Sequence, residues 1–167
     1  DDVLTDICGG LKMANGTNPL GTAPQPQTRA RSAAIIRDRF IRAQEYREKI
    51  RAAGDDASKR PARDLQLETL VDVLEGRRTV HHHTHRHDDI LTAIRLSQEF
   101  GYRVVLQHVS EAWKVADEIA AAGVQASIIV IDAPGGKLEA MDVSTENGAA
   151  LERAGAAVVG FHTDDGI

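Results

Sequence analysis

The chain has one cysteine, Cys8, in 167 residues, so no disulfide can form within it. A lone thiol suits a reducing compartment, and cytoplasmic residence is expected. There is no basic excess either. Lys and Arg number 20 against 25 Asp and Glu, for a formal charge of -5 and a pI near 5.8. That balance offers no electrostatic footprint for nucleic acid. No run approaches the roughly 18 apolar residues of a membrane span, so no membrane partner is expected. The start, Asp1-Asp2-Val3-Leu4, lacks the basic residues and apolar stretch of a secretory signal. No strand is followed by a glycine-rich phosphate loop, because Gly135-Gly136 lacks the required spacing. What remains is a chain 42% apolar, sized for one domain or a large piece of one, with a small molecule as its expected partner.

The first stretch, residues 6–14, reads as a short strand. Residues 15–28 carry Asn15-Gly16, Asn18-Pro19, Gly21, Pro24 and Pro26, which are loop signals. Loops of this length are uncommon in compact domains and often functional. Ser32 is placed to cap a helix running to Ala53, with Ile36, Phe40, Ala43 and Ile50 on its apolar side. Asp64 caps a second helix that Gly76 closes.

A strict alternation then begins. Strands are expected at 78–83, 103–107, 125–131 and 156–161, recurring roughly every 22 to 31 residues. Helices fill the gaps, capped by Asp88 or Asp89, by Ser110, and by Ser144 or Thr145. Trp113 is expected to pack within the second of these helices. Helical crossovers make the sheet parallel. Two architectures fit: a doubly wound α/β sheet, or part of a (β/α)8 barrel. A whole barrel needs roughly 200 residues or more. The organisation expected is a strand end and long loop over 1–31, a helical insertion over 32–76, and four βα units over 77–167.

Five of the seven histidines fall in Thr79-Val80-His81-His82-His83-Thr84-His85-Arg86-His87-Asp88-Asp89-Ile90. Side chains alternate along a strand, so His81, His83 and His85 share one face, with His82 and Thr84 on the other. His81 and His82 read as solvated or core residues, and His87 as a loop or helix-start residue. In parallel α/β folds the chemistry gathers at the carboxyl ends of the strands. There the sequence puts His83 and His85, then His108, then Asp132, then His162, Thr163, Asp164 and Asp165. Asp132 precedes Ala133-Pro134 and reads as a turn residue. Imidazole nitrogens with a carboxylate suit Zn²⁺ or a similar divalent ion.

These residues resemble a family. His83-Thr84-His85-Arg86-His87-Asp88-Asp89-Ile90-Leu91-Thr92-Ala93-Ile94, Glu99-Phe100-Gly101 and Leu106-Gln107-His108-Val109-Ser110-Glu111-Ala112 are similar to the metal-dependent amidohydrolase superfamily. The imidazolonepropionase-like branch is the nearest match, and Leu11-Lys12-Met13-Ala14-Asn15-Gly16-Thr17-Asn18-Pro19, Thr28-Arg29 and His162-Thr163-Asp164 share in the likeness. The resemblance implies a (β/α)8 TIM barrel of which this chain holds roughly strands four to eight. It implies His83, His108 and Asp164 as metal ligands, with one or two zinc ions in the complete barrel. Asp164 doubles as the catalytic proton carrier. Lys12 matches a lysine that bridges two metals when carboxylated. His85 and His162 are implied to face the substrate or support the ligands. The implied activity is hydrolysis of amide or other non-peptide C–N bonds.

One departure follows from the same likeness. The family's His-x-His pair on its first strand has no counterpart here, since His83-Thr84-His85 has the fifth strand's context. The chain is therefore expected to be an incomplete fragment, inactive alone, that associates with itself or with a missing N-terminal half-barrel. The competing expectation is a non-catalytic, histidine-rich module for metal capture and self-association.

Overall fold

The computed structural model describes residues 9–129 and 137–162, the Val159 side chain excepted. Its strands are β1 (Leu11–Ala14), β2 (Val80–Thr84), β3 (Val104–His108), β4 (Gln125–Ile128) and β5 (Ala157–Phe161). Its helices are α1 (Arg29–Ala53), α2 (Leu65–Leu74), α3 (His87–Phe100), α4 (Ala116–Ala122) and α5 (Asn147–Ala154). All strand pairs are parallel, and the sheet order is β1-β2-β3-β4-β5. A doubly wound sheet reverses its order at a switch point. This sheet never does, so it is a run of consecutive barrel-type βα units. Among the described residues, β1 and β5 each have a strand neighbour on one side only.

The register sets two kinds of row across the sheet. Met13, His82, Leu106, Ala126 and Val158 lie side by side, and so do Ala14, His83, Gln107, Ser127 and Gly160. The first row faces the helices. Leu106, Ala126 and Val80 share one core with Phe40 of α1, Val73 of α2, Ile90 and Ile94 of α3, Ile119 of α4 and Leu151 of α5. The second row faces the opposite, inner side. The helical pair α1–α2 packs through Ala43, Tyr46 and Val71, and joins the main core where Phe40 stacks on Phe100 and Tyr102 at 5.0 and 4.8 Å. Among the described residues, no helix is long and apolar enough to cross a membrane.

Several helix starts differ from the sequence reading. Thr28, not Ser32, caps α1, its hydroxyl accepting from the Arg31 amide at 3.1 Å. Arg29, Ala30 and Arg31 are good helix formers, so the helix extends back to the first residue able to cap it. Asp88 and Asp89 lie inside the first turn of α3, and Arg86 holds the cap position without a side-chain capping bond, its guanidinium pairing with Asp88 instead. They still face the positive end of the helix dipole. Ser110 caps nothing. The chain after it forms a 3-10 turn, Ala112–Lys114, and α4 begins only at Ala116. Trp113 sits on that turn, 43% exposed, donating its indole N–H to the Asp142 carbonyl, so it is not a packed helix residue. Neither Ser144 nor Thr145 is the N-cap of α5, which is Glu146. The third regular strand ends at Ile128, and the Asp132 turn lies outside the described residues, as does Cys8.

His82 is the one polar member of its row. It is fully buried, and neither ring nitrogen has a hydrogen-bond partner among the described residues. Burial, aided by the Lys12 charge, pushes its pKa from 6.5 down to about 4. The unfolded chain therefore binds more protons than the folded one between those values. The stability linked to His82 is complete above pH 6.5 and is lost as pH falls toward about 4. His82→Leu removes two unsatisfied polar atoms from an apolar row and should stabilise the fold by about 1–3 kcal/mol. Thermal melts between pH 7 and pH 4 check this: the variant should melt higher and lose less on acidification. A lower melting temperature at pH 7 would refute the account.

Candidate metal centre

The inner face of β2 carries His81 and His83, and the chain continues past Thr84 to bring His85 round on the same side. His81 stays below the rim, where the Gln107 amide lies 3.0 Å from its Nδ1. His83 and His85 are 3% and 1% exposed, with ring centroids 4.7 Å apart. His108 closes on both, at 4.3 Å from His83 and 5.1 Å from His85. His162 follows β5 and lies 4.8 Å from His108. Four imidazoles from three strands thus meet at the carboxyl ends of the sheet.

His108 reaches this cluster by breaking the strand rule. Two residues after Leu106, it would point toward the helices by alternation. Its φ of 75° turns the chain instead, and the Val109 amide bonds back to the Gln107 carbonyl at 3.0 Å. That is a γ-turn of the rare, strained hand. Val109 follows at φ 38°, an unfavourable conformation for a β-branched residue. The turn is pinned from outside. The Val109 amide also donates to Thr84, the His108 carbonyl accepts from Ile129, and the buried Asn147 side chain donates to the Val109 carbonyl at 2.9 Å. Asn147 Oδ1 in turn accepts from the Trp113 amide.

Three of these histidines are also held through their rings. His85 Nδ1 lies 2.8 Å from Ser110 Oγ. His162 bridges Ser127 Oγ, 2.9 Å from its Nδ1, to His108 Nδ1, 2.8 Å from its Nε2. His83 Nε2 is buried with no hydrogen-bond partner among the described residues. Burial first, then His85, Lys12 and Lys137, push the His83 pKa down to about 3. The ring is therefore neutral at ordinary pH, which is the form that binds a metal. A buried nitrogen lone pair without a donor, beside further nitrogen donors, fits a cation.

A carboxylate completes the group. Ligand atoms of His83, His85 and Glu139 all lie within 4.8 Å of one another. Glu139 is buried on the 3-10 turn Leu138–Ala140. Its oxygens accept from the Thr17 amide at 2.7 Å, the Thr17 hydroxyl at 2.5 Å and Arg29 at 3.3 Å. Arg29 bonds Asp89 as well, at 2.8 Å. Asp89 is thus a buried ion-pair partner, and burial raises its pKa despite that guanidinium.

Of the residues expected from sequence, His83, His85, His108 and His162 come together. Lys12 lies opposite His81, two residues below the rim row, and is exposed. Asp164 lies outside the described residues. His87 begins α3 and bonds Glu111, away from the cluster. Sequence reasoning missed Glu139, Ser110 and Asn147. Ser110 was legible only as a helix cap, Asn147 only as part of the last helix, and Glu139 lies in a short turn with no periodic signal.

No family model and no curated protein matches the chain. Among solved structures, it is similar to an amidohydrolase from Thermotoga maritima, with 34% sequence identity and a TM-score of 0.81. The match covers 91% of this chain and 41% of that one, so the chain spans well under half of its relative's length. The α/β architecture of parallel strands and helices is that of part of an amidohydrolase barrel, with a histidine-rich, metal-suited rim at its strand ends.

Proposed function

We propose that this chain supplies the C-terminal half-barrel of a metal-dependent hydrolase of amide or other non-peptide C–N bonds, in the imidazolonepropionase-like branch. The observation that carries this reading is the meeting of four imidazoles at one strand-end rim, with a buried His83 nitrogen unbonded among the described residues. His83 and His108 would hold a zinc or similar divalent ion together with Asp164. Carboxylated Lys12 would serve if two ions are held. When bound, such an ion lowers the pKa of a water and polarises the scissile carbonyl.

The remaining work falls to the chain's own groups. Asp164 takes the proton of the attacking water and passes it to the leaving nitrogen. Ser110 fixes the His85 ring on the substrate side, and His162 fixes the His108 ring. The loop over residues 15–28 borders the mouth, where substrate is chosen. The other barrel strands come from the rest of the polypeptide or from a partner, and the chain without them turns over weakly or not at all.

In protein carrying the whole barrel, cyclic and acyl amides should be hydrolysed. Activity should fall with chelation, return with zinc, and drop about a hundredfold or more in His83→Ala, His108→Ala and Asp164→Asn. Unchanged turnover in all three variants sinks the assignment. Asn147 allows a second test, because it clamps the strained turn that aims His108. Asn147→Ala leaves the Val109 carbonyl and Trp113 amide without their partner and should cost about 2–4 kcal/mol. Urea unfolding measures that loss, and zinc affinity should fall with it as the turn relaxes. Native zinc affinity in a destabilised Asn147→Ala protein would show that the clamp does not position His108.

A further inference from the structure

Glu139 faces two ways. Toward the histidines, one of its oxygens lies within 4.8 Å of ligand nitrogens on both His83 and His85. Toward the loop, it is gripped by Thr17 twice and by Arg29 once. A carboxylate has about four acceptor positions. Three are used by these donors, which leaves one for a further partner. The neighbouring His83 Nε2, unbonded among the described residues, is a second, independent sign that something electron-poor belongs between them.

The loop side is built around this carboxylate. Gly16 has φ 70°, and a Cβ there would run into Glu139 Oε2. Asn15 donates to the Asp89 carbonyl at 2.8 Å, and Arg29 joins Asp89 to Glu139. Residues 15–17 and Arg29 stand at the two ends of the 15–28 loop. Both ends are therefore fastened to one partly buried polar network, and among the described residues Glu139 is the member that also lies among the histidines.

We infer that Glu139 joins His83 as a ligand of that ion, with the His85 ring beside them, and that through Thr17 and Arg29 it ties the order of the 15–28 loop to the presence of the cation. This rests on the reading that the rim holds a divalent ion. The bound ion fixes the carboxylate, and the fixed carboxylate gives Thr17 and Arg29 a rigid acceptor. A loop bordering the site is then ordered only when the site is loaded.

Cobalt(II) is the probe, read by its visible absorption, with hydrogen–deuterium exchange of residues 15–28 as a readout independent of activity. Cobalt should bind the wild-type protein and slow exchange across the loop. Glu139→Gln should weaken cobalt binding at least about tenfold and abolish that slowing. Thr17→Val, which leaves every ligand in place, should still bind cobalt, roughly tenfold more weakly, and lose the loop protection. Wild-type cobalt affinity in Glu139→Gln, or loop exchange that ignores cobalt in the wild type, overturns the inference. If His83→Ala and His108→Ala abolish binding while Glu139→Gln does not, the inference fails alone and the hydrolase reading stands. If the wild type binds no cobalt, both fail.

Discussion

The two-residue alternation of β2 is the constraint on which the site depends. A strand buried on both faces must give one set of side chains to the helices and the other to the inner side. Val80 and His82 go one way, His81 and His83 the other, and parallel pairing carries that choice from β1 to β4 and, across a one-residue register shift opposite Ala126 and Ser127, into β5. A slip of one residue would bury His83 under the helices and bring His82 to the inner side. The inner row around His83 is built of Ala14, Gln107, Ser127 and Gly160, none of them bulky and apolar. It leaves room and hydrogen-bonding capacity where the helix-side row leaves neither.

That constraint was legible in the sequence, because it needs only spacing. The strand–helix rhythm, the parallel sheet and the sharing of one face by His83 and His85 all follow from periods of two and of about 3.6. The position of His108 at a strand end was legible for the same reason, but its direction was not. Alternation points it toward the helices, and only the left-handed turn at φ 75° brings its ring to His83. No residue type announces that turn, since glycine, the usual sign of positive φ, is absent there. It exists because Thr84, Ile129 and Asn147 impose it from three other parts of the chain.

The same reasoning explains the misplaced caps. Ser110 and Asp89 are residue types that favour helix starts, and each stands beside one. Both are drawn into longer-range bonds, Ser110 to His85 and Asp89 to Arg29. A cap bond contributes about 1 kcal/mol, whereas leaving a buried partner unsatisfied costs about 1–3 kcal/mol. Where the two compete for one side chain, the buried partner wins. Local propensity therefore misleads most where side chains from distant segments converge.

These departures from local rules gather in one place. The strained γ-turn, the β-branched residue at positive φ, the unbonded His83 nitrogen and the buried Glu139 all lie at the rim. Strained backbone conformations cost roughly 1–3 kcal/mol each and persist only where the surroundings enforce them. His82 shows that a stray buried imidazole is tolerated, but it stands alone among apolar neighbours and nothing is organised around it. At the rim, by contrast, Ser110, Ser127 and Asn147 each come from a different segment to hold a histidine or the turn that aims one. A fold under selection for stability alone would have little reason to assemble that many enforcing contacts around so many local costs. Their concentration at the carboxyl ends of three strands is the physical mark that separates a site from a flaw in the core.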